Sequence, residues 1–389
     1  MAEAFLGVER SLMGRFWLAR NCNNRLALTI AQRLEVSEVV GRVLNARGIT
    51  LEDSFNFLNP TLKDQLPDPT HLKDMDVASQ RLSRAVMEGE KIAIFGDYDV
   101  DGATSSALLK QFFDRVGAAV QVIIPDRIKD GYGPNAKALL KLREEGTSVV
   151  VTVDCGTTSF EPIETAMNAG LDVIVVDHHE AEASLPDAFA VINPNRVDDD
   201  SPHGHMAAVG VTFLLIVAVN RVLRQANWYD VYKEPDLMQW LDLVALGTVC
   251  DVVPLTGVNR AFVKQGLKVM SKRNNLGLVT LADIAGIDEP PSAYHAGFVL
   301  GPRINAGGRV GKSDLGARLL SSNDKIEVAE IAAALNSYNI ERQEIEAKVL
   351  EEANRQINQS DIKTASIIIA VGKGWHPGVI GIVASRLKE

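Results

Sequence analysis

The sequence has few cysteines, few aromatic residues and fewer cationic than acidic side chains, and no apolar run long enough to cross a bilayer. Its three cysteines, Cys22, Cys155 and Cys250, are widely spaced and odd in number, which excludes a disulfide framework and fits no zinc spacing. The 40 Lys and Arg against 50 Asp and Glu leave a net charge of −10, which argues against a protein that holds nucleic acid by bulk charge. A local basic groove is still allowed. Arg260, Lys264, Lys268, Lys272 and Arg273 make one cluster, better read as a solvated helix face; Arg303, Arg309 and Lys312 make a tighter, glycine-rich one. The longest nearly uncharged stretch, residues 206–220, falls short of the roughly 20 residues a membrane helix needs and reads as a buried helix. No basic segment with an apolar run and cleavage site opens the chain, so a cytoplasmic protein without membrane attachment is expected. With 389 residues, 46% of them apolar, it can bury the cores of two or three domains.

What is present begins with Phe95-Gly96-Asp97-Tyr98-Asp99-Val100-Asp101-Gly102, directly after the apolar run Lys91-Ile92-Ala93-Ile94. Carboxylates at alternate positions of an extended chain point to one side, so Asp97, Asp99 and Asp101 are expected to crowd their charges. Like charges that close raise each other's pKa unless a cation neutralises them. Carboxylate oxygen suits Mg²⁺ or Mn²⁺. A calcium-binding EF-hand opens with the same Asp spacing, but its twelfth position here is Leu108 and the preceding segment is strand-like.

From residue 76 helical and strand patterns alternate: helices at 77–88, 103–116, 135–145 and 160–169, and strands at 92–95, 120–124, 148–153 and 172–176, with one more at 188–192. That alternation predicts a doubly wound, mainly parallel, Rossmann-like α/β sheet. Helical patterns at 207–224 and 235–246 add a helical part, and an unbroken helical composition over 325–359 predicts a long linking helix. A strand at 366–371 and a final apolar helix read as the start of a second α/β domain. The expected division is residues 1–75 as a mainly helical segment with one helix over 31–46, 76–322 as the sheet domain, 323–362 as the linking helix, and 363–389 as a truncated second domain. A lone strand and helix cannot bury a core, so the chain reads as a fragment of a longer protein.

Ligands of such sheets sit beyond the carboxyl ends of the strands. Three predicted strands end in polar clusters: Asp97 to Asp101, Asp154-Cys155-Gly156, and Asp177-His178-His179. Asp251, in the otherwise apolar Leu246-Gly247-Thr248-Val249-Cys250-Asp251-Val252-Val253-Pro254, is an acid in need of a partner. Gly301-Pro302-Arg303-Ile304-Asn305-Ala306-Gly307-Gly308-Arg309-Val310-Gly311 reads as a glycine-rich turn in which two arginines could clamp a phosphodiester. His203 and His205 resemble a metal pair but lack a carboxylate constellation. His376, in Gly374-Trp375-His376-Pro377-Gly378, either touches substrate or caps the helix after it.

These blocks, in this order, resemble the RecJ family of single-strand-specific exonucleases within the DHH phosphoesterase superfamily. The resemblance implies two Mn²⁺ or Mg²⁺ ions, with Asp154 bridging them. It implies Asp99 on the first ion, Asp101, His178 and Asp251 on the second, and His179 against the scissile phosphate. Asp177 and Asp97 read as supporting residues, Asp97 also as a direct ligand. Many superfamily members carry a histidine where Phe95 stands here. Arg127, in Pro125-Asp126-Arg127, resembles an arginine that holds a 5′-phosphate, and Arg303, Asn305 and Arg309 join the expected substrate contacts. Cys155 and Cys250 flank these ligands and are expected to point into the core.

The chemistry implied is in-line hydrolysis with no nucleophilic side chain. Single-stranded DNA is the expected substrate, cut from its 5′ end to mononucleotides in recombination and repair. A single-strand-binding protein or a helicase is a possible partner. Competing expectations are a phosphodiesterase for short oligonucleotides or cyclic dinucleotides, and an idle fragment that only binds DNA. Because basic channel and stacking aromatics are scarce, processive activity is expected to be weak or absent.

Overall fold

The computed structural model of the chain describes residues 4–18, 20, 23–127, 130–359 and 367–388; Cys22 lies outside them. Contacts divide the chain into two compact units, residues 1–66 with 256–261, and residues 67–255 with 262–389.

The first unit is helical: Asn24–Arg33, Glu38–Ala46 and Leu51–Leu58, with a single turn at Leu62–Gln65. Each helix starts on a side-chain oxygen that accepts an otherwise orphaned backbone N–H, supplied by Asn23, Ser37, Thr50 and Thr61. The single helix expected over 31–46 is therefore two. Glu35 takes a left-handed φ of 53° and Ser37 caps the second helix, so the apolar periodicity runs on while the backbone turns.

The second unit is built on five parallel strands: β1 (Lys91–Gly96), β2 (Val120–Ile123), β3 (Thr147–Val153), β4 (Asp172–Val176) and β5 (Ala190–Ile192). Their order across the sheet is β2-β1-β3-β4-β5. The inner strands are mostly apolar, with runs such as 92–95, 149–151 and 173–176, because both faces are covered. Helices Ala136–Glu144 and Phe160–Asn168 cover one face, where Leu139, Leu142, Ile163 and Ala166 meet Ala93, Phe95, Val150 and Val173 in one buried cluster. Helices Met75–Glu88, Val100–Arg115 and Ala208–Gln225 pack on the other. Between β1 and β3 the strand order reverses, which opens a crevice at the carboxyl ends. The doubly wound α/β reading holds.

Among the described residues one helix, Ala208–Gln225, is long and apolar enough to cross a membrane, and 72% of that window is buried inside the fold. Helix Leu241–Cys250 crosses Val100–Arg115 at Gly247, where a Cβ would lie 2.4 Å from Thr104 Oγ1 and 3.0 Å from Asp101 Oδ1. The stretch read as a glycine-rich turn is a helix, Gly301–Val310. Its glycines permit close packing: a Cβ on Gly308 would sit 2.9 Å from the Tyr98 carbonyl oxygen, and one on Gly307 would sit 3.1 Å from Leu335.

Leu335 belongs to the 35-residue helix Lys325–Gln359. Its polar composition hides a buried stripe of Val328, Ile331, Ala332, Leu335, Val349 and Ala353. Asn339, Arg342 and Glu346 are buried in the same stripe, with Arg342 paired to Glu346. Helix Pro377–Lys388 packs on its far end through Val379 and Val383. The strand expected over 366–371 is not present in its described part, 367–371; Ser366 lies outside the described residues. Strand geometry needs a partner ladder, and here the Val371 backbone bonds instead to the Gln356 side chain.

Replacing Gly247 by alanine, whose Cβ would also lie 2.7 Å from Val209 of helix Ala208–Gln225, forces that helix, Val100–Arg115 and Leu241–Cys250 apart beside Asp101 and is expected to cost about 1–3 kcal/mol. A lowered urea midpoint at unchanged m-value would report it.

Candidate metal centre

The acidic stretch after β1 does not stay extended, which corrects the alternation argument while keeping its outcome. Asp97 continues the strand, its N–H donating to the Val153 carbonyl at 3.3 Å. Asp99 then caps helix Val100–Arg115, its Oδ1 accepting from the N–H groups of Asp101 and Gly102 at 2.9 and 3.1 Å. Asp101 therefore lies in the first helical turn, and the turn folds it back toward the sheet edge. Gly102 is required there, because a Cβ would meet the Asp97 carbonyl oxygen at 2.5 Å.

Asp101 is fully buried and accepts the N–H groups of Ala208 and Val209 at 2.6 and 2.9 Å. Helix Ala208–Gln225 has no capping side chain of its own; a carboxylate 107 residues away fills that role, favoured by the positive end of the helix dipole. Asp154 follows β3 in a left-handed conformation with φ of 61°, which Asp and Asn tolerate best among residues with a side chain. Asp251 caps the end of helix Leu241–Cys250.

These residues meet. Asp97, Asp99 and Asp154 each offer a ligand atom within 4.8 Å of one another; so do Asp101, His178 and Asp251, and so do Asp154, His178 and His179. His178 Nε2 stands 3.3 Å from Asp154 Oδ1, 3.6 Å from Asp251 Oδ2 and 3.8 Å from Asp101 Oδ2. Asp97 Oδ1, Asp154 Oδ1, His178 Nε2 and Asp251 Oδ2 are all buried without a hydrogen-bond partner. These orphaned acceptors stand in three carboxylate or carboxylate–imidazole groups linked through Asp154 and His178, a donor set that divalent cations satisfy.

The protonation pattern has the same cause. Burial, then the charge of Asp99, pushes Asp97 and Asp251 up to about 7. Burial, then the charges of neighbouring carboxylates, also pushes Asp101 and Asp154 well above the usual carboxylate range. Burial and the neighbouring His179 lower His178, which leaves its imidazole neutral and able to donate a lone pair.

Asp177 is the exception. Its Oδ1 accepts from the backbone of His178 at 2.8 Å and from His179 Nδ1 at 2.7 Å, and Oδ2 accepts from Thr157 N–H at 3.1 Å. Although burial opposes it, these bonds hold the carboxyl well below the usual carboxylate range. In return the Asp177 bond lifts His179 to about 9. Asn193 and Asn195, just past β5, donate to the His179 and His178 carbonyls at 2.9 and 2.5 Å and lock the pair. Neither asparagine was expected; their place at a strand end was the available signal.

A cavity of about 410 Å³ opens on this centre, with Arg127, Arg309, Tyr98, Tyr132 and His179 on its wall. Arg127 lies over the Tyr98 ring at 5.1 Å, and the Tyr132 ring meets His179 edge-on at 6.2 Å. Burial, then the charges of Arg127 and Arg342, lowers the Arg309 pKa, and its Nη1 donates to the Gly378 carbonyl at 2.9 Å. Arg303 is off the cavity, donating to the Val299 carbonyl and Asn336 Oδ1 at 2.7 and 3.0 Å. Asn305 is off it too, accepting the Val100 N–H at 3.1 Å.

Phe95 is core, with no reach to the centre. Cys155 is buried as expected, whereas Cys250 is only half-buried, its thiol donating to the Ala296 carbonyl. His203 stacks on His71 at 6.2 Å and, among the described residues, joins no metal-holding group; nor does His205. His376 Nδ1 accepts the Gly378 N–H at 3.1 Å, at the start of the last helix.

Residues 91–248 match the model of the DHH family, N-terminal domain. RecJ of Bacillus subtilis, a single-stranded-DNA-specific exonuclease, is 37% identical over 362 residues, 93% of this chain but 44% of its own length. The chain thus spans less than half of that relative. A crystal structure of exonuclease RecJ bound to manganese aligns at TM-score 0.71 and 34% identity, covering 81% of this chain and 77% of that one. RecJ from Thermus thermophilus in complex with Mn²⁺ aligns at TM-score 0.79 and 30% identity, covering 95% of this chain and 51% of that one. A match of this identity over three quarters of a solved chain establishes kinship beyond fold: the chain belongs to the RecJ family, and its DHH match holds every member of the carboxylate–imidazole cluster except Asp251, three residues beyond it.

Proposed function

We propose that the chain is a two-cation phosphodiesterase acting on single-stranded DNA from the 5′ end and releasing mononucleotides. The observation that carries this is the convergence of four buried, unpartnered ligand atoms from Asp97, Asp154, His178 and Asp251. Asp97 and Asp99 would hold one Mn²⁺ or Mg²⁺, Asp101, His178 and Asp251 the other, with Asp154 shared. The grouping of Asp97 with Asp99 and Asp154 supports a direct role for Asp97 where Phe95 offers none. Bound cations polarise a phosphoryl oxygen and lower the pKa of water.

The chain's own groups do the rest. His179, kept protonated at neutral pH by Asp177, presents a cation on the cavity wall to a phosphate oxygen. Arg127 and Arg309 face the same cavity as anion-binding groups. Asn305 acts by positioning, since it holds the Val100 N–H and so the helix start that Asp99 caps. The same reading assigns the protein to DNA recombination and repair in the cytoplasm, with a single-strand-binding protein or a helicase as partner.

A 5′-labelled single strand of 40 or so nucleotides, incubated with Mn²⁺, tests the substrate. Labelled mononucleotide at the earliest time is expected, and cleavage of dinucleotides alone would overturn the choice. Asp154→Asn is expected to abolish turnover. His179→Gln is expected to lower kcat by about 10²–10³, the usual cost of removing one group that meets developing charge.

Cation removal has its own signature. Asp97 and Asp251 hold protons up to about 7 when folded, against an ordinary value of 3.8. The folded state therefore binds more protons across that window, and stability falls as pH rises through it. His179, raised from 6.5 to about 9, stabilises fully below 6.5 and loses that contribution as pH climbs through 9, the same sign. The Tm of EDTA-treated protein is expected to rise from pH 8 to pH 6, and saturating Mn²⁺ to raise Tm at pH 8 and flatten the slope. Differential scanning calorimetry at both pH values checks it.

A further inference from the structure

The helix Gly301–Val310 is the continuation of a π-helical turn, His295–Leu300, a rare geometry that recurs at functional sites. Its two ends do different things. Toward the carboxyl end, Asn305 bonds the Val100 backbone and Gly308 lets Tyr98 approach, so this half touches the acidic turn. Toward the amino end, the rings of Tyr294 and Phe298 stack at 5.4 Å between centroids with 22° between planes. They are 63% and 73% exposed.

The aromatic pair is anchored beside the metal centre. The Ala296 carbonyl accepts from the Cys250 thiol, one residue before Asp251. Along the helix axis, Phe298 lies roughly 10 Å from Asn305 at 1.5 Å per residue. Arg303 sits between them; among the described residues it has no carboxylate partner, only the Val299 carbonyl and Asn336. Val252, beside Asp251, adds apolar surface at this rim: it is 86% exposed and left-handed at φ 61°, a conformation β-branched residues avoid.

Exposed aromatic rings followed along the same helix by a cation without a carboxylate partner, next to a phosphate-directed centre, are what a single strand requires: faces for bases and charge for the backbone. We infer that Tyr294 and Phe298 form a stacking platform for bases of the strand beyond the scissile phosphate, with Arg303 on an intervening phosphate. This rests on the single-strand reading above and deepens it. The substrate's unreacted portion is gripped by residues outside the cation cluster, so the platform sets affinity for long strands and leaves the chemistry alone.

The test compares 5′-phosphorylated dT20 with the dinucleotide pdTdT, too short to reach the platform while its phosphodiester is at the centre. In Mn²⁺, the full chain carrying Tyr294→Ala and Phe298→Ala is expected to raise KM for dT20 about tenfold or more, the loss typical of one or two stacked bases. Its kcat, its pdTdT kinetics and its melting temperature stay unchanged. Phe298→Trp keeps the dT20 KM and adds an indole whose fluorescence dT20 quenches. A double variant that matches wild type on dT20, or that loses pdTdT hydrolysis equally, overturns this inference alone. A wild type that cleaves pdTdT but not dT20 overturns the single-strand reading, and this inference with it.

Discussion

Negative charge held away from water is the constraint around which the fold is arranged. Asp97, Asp101, Asp154 and Asp177 are each no more than 4% exposed, and all sit at the carboxyl edge of one sheet. Such a concentration of carboxylates is unfavourable by both desolvation and mutual repulsion. The protein answers with partial remedies. Helix Ala208–Gln225 lends its uncapped N-terminus to Asp101, and three N–H groups with one imidazole neutralise Asp177. What the backbone leaves unanswered, at Asp97, Asp154, His178 and Asp251, belongs to the groups whose ligand atoms could hold cations.

The two neighbouring histidines show how environment divides the labour of like residues. His178 is largely buried among lone pairs and kept neutral, while His179 is half-exposed, bonded to Asp177 and kept charged. One ring therefore suits a cation and the other an anion, though they are consecutive in the chain. The separation depends on Asn193 and Asn195, which hold the two carbonyls and so fix which way each ring faces.

The strand and helix alternation and the polar strand ends were legible because buried parallel strands must be apolar and their ligands must lie at one edge. Asp251 was legible as an acid without local excuse. Local backbone was less so. The Asp97 to Asp101 run looks extended by spacing, yet Asp99 is a better helix cap than a strand residue, and capping won. The glycines at 301–311 signal a turn in isolation, but their freedom is spent on close contact with Tyr98 and Leu335. The exposed pair at 294 and 298 has ordinary aromatic composition, and nothing in the sequence marks the stacking its rings adopt at the π-helical turn.

The left-handed backbone at Asp154 has a consequence for what can replace it. A φ of 61° is tolerated better by Asp and Asn than by other residues with a side chain, and a buried site among carboxylates disfavours any group that cannot share a cation. Conformation and coordination thus narrow the alphabet independently at one position. Glutamate keeps the charge but loses the fit to the turn, glycine keeps the turn but loses the ligand, and asparagine alone isolates the missing charge from the geometry that carries it.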